Sequence, residues 1–277
     1  MSRSLFATAG GKLRQPMNVT PADVMSIFQM KYGAPDSLGP NPRRRFRYGY
    51  FSPDDYYEAL VDKLVTPGCR WLDVGGGRDV FPNNLELSRR LAERCGWLTG
   101  VDPSPNIHEN PYAREKVQAF IEEYRSPEPF DLLTMRMVAE HVTEPDAAVA
   151  AMARLLKPGG RLVIYTINKF SPVSAIAWVT PFWLHHPIKK FVWRTEAKDT
   201  FPVAYRMNTQ WQLQRLARKH GLTEESFAHL DDCRTFFRFK WLNYVELTIW
   251  KVLRAVRLQY PENCLLGLYR KSEKPSG

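Results

Sequence analysis

Arg70-Trp71-Leu72-Asp73-Val74-Gly75-Gly76-Gly77-Arg78-Asp79 is the segment around which the chain is organised. Trp71 to Val74 is a short apolar run that ends in three consecutive glycines, and a helical pattern starts near Asn84. The order predicts strand, tight turn, helix. Glycines at such a turn let a ligand approach the backbone closely, because no Cβ intervenes. Asp73 stands inside the strand end, where a carboxylate would repel a phosphate but suits a cationic group.

Trp97-Leu98-Thr99-Gly100-Val101-Asp102 is a second apolar strand, and Asp102 falls 25 residues after Gly77. In a Rossmann-like βαβ unit, a carboxylate at this place hydrogen-bonds the two ribose hydroxyls of an adenosine. The dinucleotide-type glycine pattern fails here, because its last glycine falls on Val80. Phe130 to Val142 follows the acidic Ile121-Glu122-Glu123, and Leu155-Leu156-Lys157-Pro158-Gly159-Gly160 enters a further strand, Arg161 to Ile167.

These four stretches, in this order, resemble the class I S-adenosylmethionine-dependent methyltransferases, and most closely the small-molecule branch that includes the ubiquinone-type enzymes. The resemblance covers residues 55 to 170 well and the C-terminal part loosely. Two positions depart from the pattern: Asp79 stands where the family often has a third alternate glycine, and Phe120 where many relatives carry an aspartate. The resemblance implies an α/β fold, a Rossmann-like seven-stranded mostly parallel sheet with helices on both faces and an antiparallel last strand. It implies S-adenosylmethionine as cofactor. Asp102, followed by Pro103, would hold the ribose, and Gly75, Gly76 and Gly77 would let the backbone pass the methionine portion. Asp73 would serve the ammonium end. Ile121 and Glu122 sit where the family contacts adenine, through the backbone in this chain. Arg136 either meets the cofactor carboxylate or braces the loop.

Glu140 and His141 lie beyond the carboxyl end of the strand that starts at Phe130, where ligands sit in open α/β sheets. Either could take a proton from an acceptor hydroxyl, although such a pair is also common scaffold in the family. His185 and His186 are rival bases. Tyr48 or Tyr50 could close over the cofactor, and His185, Tyr205 and Arg206 could line the acceptor pocket.

The chain has 277 residues and a net charge of +10, enough length for one large domain or two small ones. No apolar run is long enough to span a membrane, and no apolar segment suits a secretory signal near Met1, so a cytoplasmic protein is expected, with a possible peripheral membrane contact. Cys69, Cys95, Cys233 and Cys264 show no metal-ligand spacing and are expected to be free thiols, with no metal invoked. Residues 1–50 are expected to form an N-terminal extension, helical from Thr20 and Pro21, with Arg43 to Phe51 a phosphate-contacting or solvated loop. Residues 51–277 would form the methyltransferase domain. Tyr112 to Phe120 is expected to be a weak helix, or a short helix leading to a strand. Residues 171–207, with Trp178, Phe182, Trp183, Phe191 and Trp193 beside Lys189, Lys190 and Arg194, are expected to be an aromatic lid. Trp241 to Leu258 is a long apolar helix with Lys251, Arg254 and Arg257 on one side.

The expected function is methyl transfer to a small lipophilic or anionic acceptor, with oxygen favoured. An RNA or DNA methyltransferase is the alternative that the charge suggests. Its Asn/Asp-Pro-Pro-aromatic motif is missing after the fourth strand, where Met135-Arg136-Met137-Val138 stands, and Asn110-Pro111-Tyr112 lies too early. A non-catalytic binding protein of the same fold is a third reading.

Overall fold

The computed structural model describes residues 19–172 and 203–273. Seven strands form one sheet: β1 (Arg70–Val74), β2 (Trp97–Asp102), β3 (Glu115–Gln118), β4 (Phe130–Arg136), β5 (Leu156–Ile167), β6 (Leu222–Asp231) and β7 (Asn263–Lys271). Their order is β3-β2-β1-β4-β5-β7-β6. β1 to β5 pair in parallel, whereas β7 runs antiparallel to both β5 and β6. This is the expected seven-stranded sheet.

Side chains alternate between the two faces at the period of a strand. On one face Leu72, Leu133, Leu162 and Leu265 join the core under α5 (Pro145–Leu155) and α6 (Gln210–Lys219). On the other, Trp71, Leu132, Val163 and Leu266 pack with α1 (Pro21–Tyr32), α3 (Pro53–Leu64) and α4 (Leu85–Arg94). Both faces are thus covered by helices, as a parallel sheet requires.

The helix starts follow local chemistry. Thr20 and Asp23 form a capping box ahead of α1, with Pro21 at its first turn. At α3, Asp55 accepts the backbone N–H of Ser52 at 2.7 Å. Asn84 caps α4 by accepting from Leu87 N–H at 3.2 Å.

Two expectations are corrected. Arg43 to Tyr48 belongs to a helix, α2 (Pro40–Tyr48), rather than a loop. Arg44 is buried and donates to Asn243 and to the Phe237 carbonyl, and Arg45 pairs with buried Asp55 and lies over the Phe28, Tyr32 and Tyr50 rings. Those two guanidiniums hold the fold together and are not available to a polyanion. The stretch from Tyr112 to Phe120 holds no helix, but a short strand, β3, at the sheet edge, preceded by a 3-10 turn at Pro105–Glu109. Its pairing with β2 overrides the helical propensity of Glu115 and Lys116. Residues 173–202, with most of the expected lid, His185 and His186, lie outside the described residues.

Candidate active site

The carboxyl ends of β1, β2 and β4 converge, since Val74 pairs with Val101 on one side and Met135 on the other. The glycine turn leaves β1 there. Gly75 has φ +76° and Gly77 φ +39°, in the left-handed region that side chains rarely adopt. A Cβ on Gly75 would also run into Cγ2 of Val138, so the turn and the loop after β4 touch.

Asp102, at the end of β2, faces this turn. Its Oδ2 accepts Gly77 N–H at 3.0 Å and its Oδ1 accepts Ser104 N–H at 2.7 Å. Carboxylate oxygens have further lone pairs for ribose hydroxyls. Pro103 is exposed beside it. Asn110, which sequence reading did not assign to the site, is buried and donates to the carbonyls of Gly76 (3.0 Å) and Gly77 (3.2 Å). Its own carbonyl accepts from Tyr112 and Ala113 N–H. It clamps the turn. The only sequence signal was the Asn-Pro-Tyr string, which resembled a different motif.

Asp73 is buried in the strand end. Trp71 Nε1 donates to Thr134 Oγ1 (2.8 Å), which donates to Asp73 Oδ1 (2.6 Å). Burial pushes the Asp73 carboxyl up to about 7, with Asp102 adding to the rise and Thr134 and Arg136 opposing it. Arg136 ends β4 and pairs with Asp54 of α3 at 3.1 Å, while its Nε is buried without a hydrogen-bond partner. Burial alone would raise Asp54, but Arg234 and Arg136 outweigh it and hold it well below the usual carboxylate range. Asp73, Gly75, Gly77, Asn106 and Arg136 line one cavity of about 330 Å³.

That cavity fits S-adenosylmethionine. A carboxylate and a guanidinium face one space, which suits the ammonium and carboxylate of an amino acid, and the unpartnered Nε of Arg136 is a donor awaiting an acceptor. Ile121 is buried, Glu122 is half-buried and Phe120 is exposed on the turn after β3.

Beyond β4 the backbone is strained: Met137 has φ +52°. Glu140 follows, buried, accepting from Thr166 Oγ1 at 2.8 Å, with Asn208 donating to Thr166 at 2.7 Å. Burial raises the Glu140 carboxyl. The Glu140 carbonyl accepts the N–H of Ala204 (2.7 Å) and Tyr205 (3.2 Å), and Arg206 donates to the Thr143 carbonyl at 2.7 Å. The structure therefore brings Glu140 and half-buried His141 together with Tyr205 and Arg206.

Tyr48 and Tyr50 are directed elsewhere. Tyr50 is buried, donates to the Asp231 carbonyl and accepts Cys233 N–H, and its ring meets Trp250 edge-on. The Tyr48 hydroxyl bonds Thr248. Both tie the N-terminal helices to α7 (Lys240–Ala255), and their rings are used in that packing rather than over the glycine turn. His185 lies outside the described residues.

Sheet order, glycine turn and paired carboxylates define the class I S-adenosylmethionine-dependent methyltransferases. The methyltransferase-domain family matches residues 43–230, and the chain belongs to it. A ubiquinone biosynthesis O-methyltransferase of Xylella fastidiosa (strain 9a5c) is 35% identical over 122 residues, covering 40% of this chain and 47% of that protein. The protein of the same name from Xanthomonas campestris pv. campestris (strain B100) is 32% identical over 136 residues, covering 45% and 53%. The chain thus spans about half the length of the curated relatives it matches. Among solved structures, the [4+2]-cyclase SpnF superposes with a TM-score of 0.50 at 16% identity, over 82% of this chain and 85% of that one. That likeness carries the fold alone.

Proposed function

We propose that the chain transfers a methyl group from S-adenosylmethionine to an oxygen of a small lipophilic or anionic acceptor. The observation that carries this reading is the contact between the cofactor turn and the loop of Glu140, through Gly75 and Val138. When bound, the cofactor would supply an electrophilic methyl, which the acceptor oxygen would take as the carbon–sulfur bond breaks and S-adenosylhomocysteine leaves.

The protein's part is positioning and proton handling. Asp102 accepts the ribose hydroxyls, Asp73 faces the ammonium, and Arg136 meets the carboxylate. Holding two reactants in line is worth up to ~7–11 kcal/mol in well-oriented systems. Glu140 takes the acceptor's proton: a carboxyl raised by burial is a stronger base than a solvated one. His141 is the second candidate for that role. Tyr205 and Arg206 line the acceptor side. The O-methyltransferase names of the relatives support the choice of oxygen.

Calorimetric titration with S-adenosylmethionine and S-adenosylhomocysteine tests the cofactor half. Micromolar binding is expected, weakened at least about 100-fold in Asp102→Ala, because two charge-assisted hydrogen bonds are lost. Unchanged affinity in that variant would remove Asp102 from the ribose. A folded chain that binds neither compound would bring forward the non-catalytic reading.

A further inference from the structure

We propose that α7 is a docking helix for an anionic lipid surface. The helix has 16 residues and spans about 24 Å. Its inner side is spent on the fold: Asn243, Glu246, Leu247 and Trp250 are buried. Its outer side carries Trp241, Val245, Ile249, Val252 and Val256, the last just past the helix end, within about 80° of arc at 3.6 residues per turn. Trp241 is 75% exposed, and the four aliphatics are 49% to 60% exposed. A contiguous apolar stripe of this kind on a surface helix calls for an occupant.

Charge selects the occupant. Lys240, Lys251, Arg254 and Arg257 are exposed on or just past α7, and Arg43 and Arg47 are exposed on α2, which packs beside it. None of the six makes an ion pair among the described residues. Lys240, Lys251 and Arg254 instead lie over the rings of Trp241, Tyr48 and Trp250, at 5.4, 5.7 and 5.2 Å. Glu246, the one carboxylate of α7, is 3% exposed and turned inward to accept from Thr235 and Phe236 N–H. A second copy pairing through this stripe would bring two net-cationic surfaces near each other with no exposed carboxylate of α7 to offset them. Anionic headgroups above an apolar layer satisfy both features: the aliphatics enter the acyl boundary and the basic side chains stay at the headgroups. No helix among the described residues is long and apolar enough to cross a membrane, so α7 would lie on the surface.

The helix stands at the site's end of the sheet. It lies in the connection from β6 to β7, where Asp231 pairs with Asn263, and the adjoining Cys264 pairs with Ile167 at the carboxyl end of β5. Arg234, in that connection, pairs with Asp54, the partner of Arg136 in the cofactor cavity. A lipid surface held by α7 would thus face the end of the sheet at which an acceptor must enter. It is a different element from residues 171–207, the expected aromatic lid.

The test needs no cofactor, so it stands apart from the methyl-transfer reading. Full-length protein is co-sedimented with vesicles of phosphatidylcholine alone and of phosphatidylcholine with phosphatidylglycerol. Binding to the anionic vesicles is expected, at least about tenfold weaker on the neutral ones and weakened by salt. Ile249→Glu/Val252→Glu removes the insertion and Lys251→Glu/Arg254→Glu the charge. Each is expected to lower partitioning at least about tenfold with an unchanged circular dichroism spectrum. Brominated lipid should quench Trp241 emission, read as the difference from Trp241→Phe, which keeps the test open if a double variant misfolds. The proposal is overturned if the wild type ignores anionic vesicles or if both double variants partition as it does. It is also overturned if sedimentation velocity shows a dimer that Ile249→Glu/Val252→Glu dissolves, or if Trp241 is already shielded without lipid.

Discussion

At Asp73 two demands compete for one carboxylate. Burial holds its proton to about 7, yet an ammonium ligand needs it ionised. Its folded pKa lies above the unfolded value, so ionising it costs stability: the loss begins near pH 4, grows up to about pH 7 and is constant above. Asp73→Asn is therefore expected to leave Tm nearly unchanged at about pH 4 and to raise it at about pH 8, by calorimetric scanning. The same variant should bind S-adenosylmethionine more weakly, and the gain in affinity of the wild type between about pH 6 and 7.5 should flatten. Glu140 is buried in the same way but is assigned to the acceptor side. Glu140→Gln keeps an oxygen for Thr166 and removes the proposed base. Its kcat should fall about 100-fold or more with cofactor affinity within about twofold of wild type. A parallel loss of cofactor binding would place Glu140 in the scaffold.

The elements of the site are coupled through the glycine turn. Gly75 combines a positive φ with a Val138 side chain where a Cβ would be. Gly75→Ala should cost about 1–3 kcal/mol in urea unfolding and weaken the cofactor. Adding Val138→Ala makes room but leaves the backbone strain, so it should restore part of the loss and not all. Full restoration would mean that sterics alone set the turn. The start of this element was legible because its signals are local: an apolar run, three glycines and an Asn84 cap within 15 residues. β3 was not, because Glu115-Lys116-Val117-Gln118 is a polar edge strand without alternation, and only the hydrogen bonds of β2 make it a strand.

Across the whole molecule, ion pairs around buried carboxylates join the N-terminal helices, the sheet and the β6–β7 connection. Asp54 sits between Arg136 and Arg234, and Asp55 between Lys31 and Arg45. Glu58 lies 2.6 Å from Lys31, yet burial still pushes it up to about 7. Asp54 has the opposite sign: its folded pKa is depressed, so its contribution is present above about pH 4 and is lost as pH falls further. Asp54→Asn leaves the half-buried guanidiniums of Arg136 and Arg234 short of a carboxylate and should destabilise by about 1–3 kcal/mol at pH 7. The gap from wild type should begin to narrow below about pH 4 and shrink steadily as the pH falls toward the depressed folded pKa of Asp54. A gap that persists in acid would mean the loss is one of packing and not of charge.

The strand-turn-helix unit, the second strand ending in Asp102, the order of the motifs and the helix caps were legible in the bare chain, because these depend on neighbours within a turn or two. Folding was needed to show where Arg44 and Arg45 go, that Asn110 clamps the glycine turn, that Tyr50 serves the β6–β7 connection, and that the outer face of α7 is left exposed. The partners concerned stand far apart along the chain: Asp54 and Arg234 are 180 residues apart, Tyr50 and Cys233 183. Desolvation, which raises the Asp73 and Glu140 carboxyls, is a property of everything packed around a carboxyl. No local window of residues contains it.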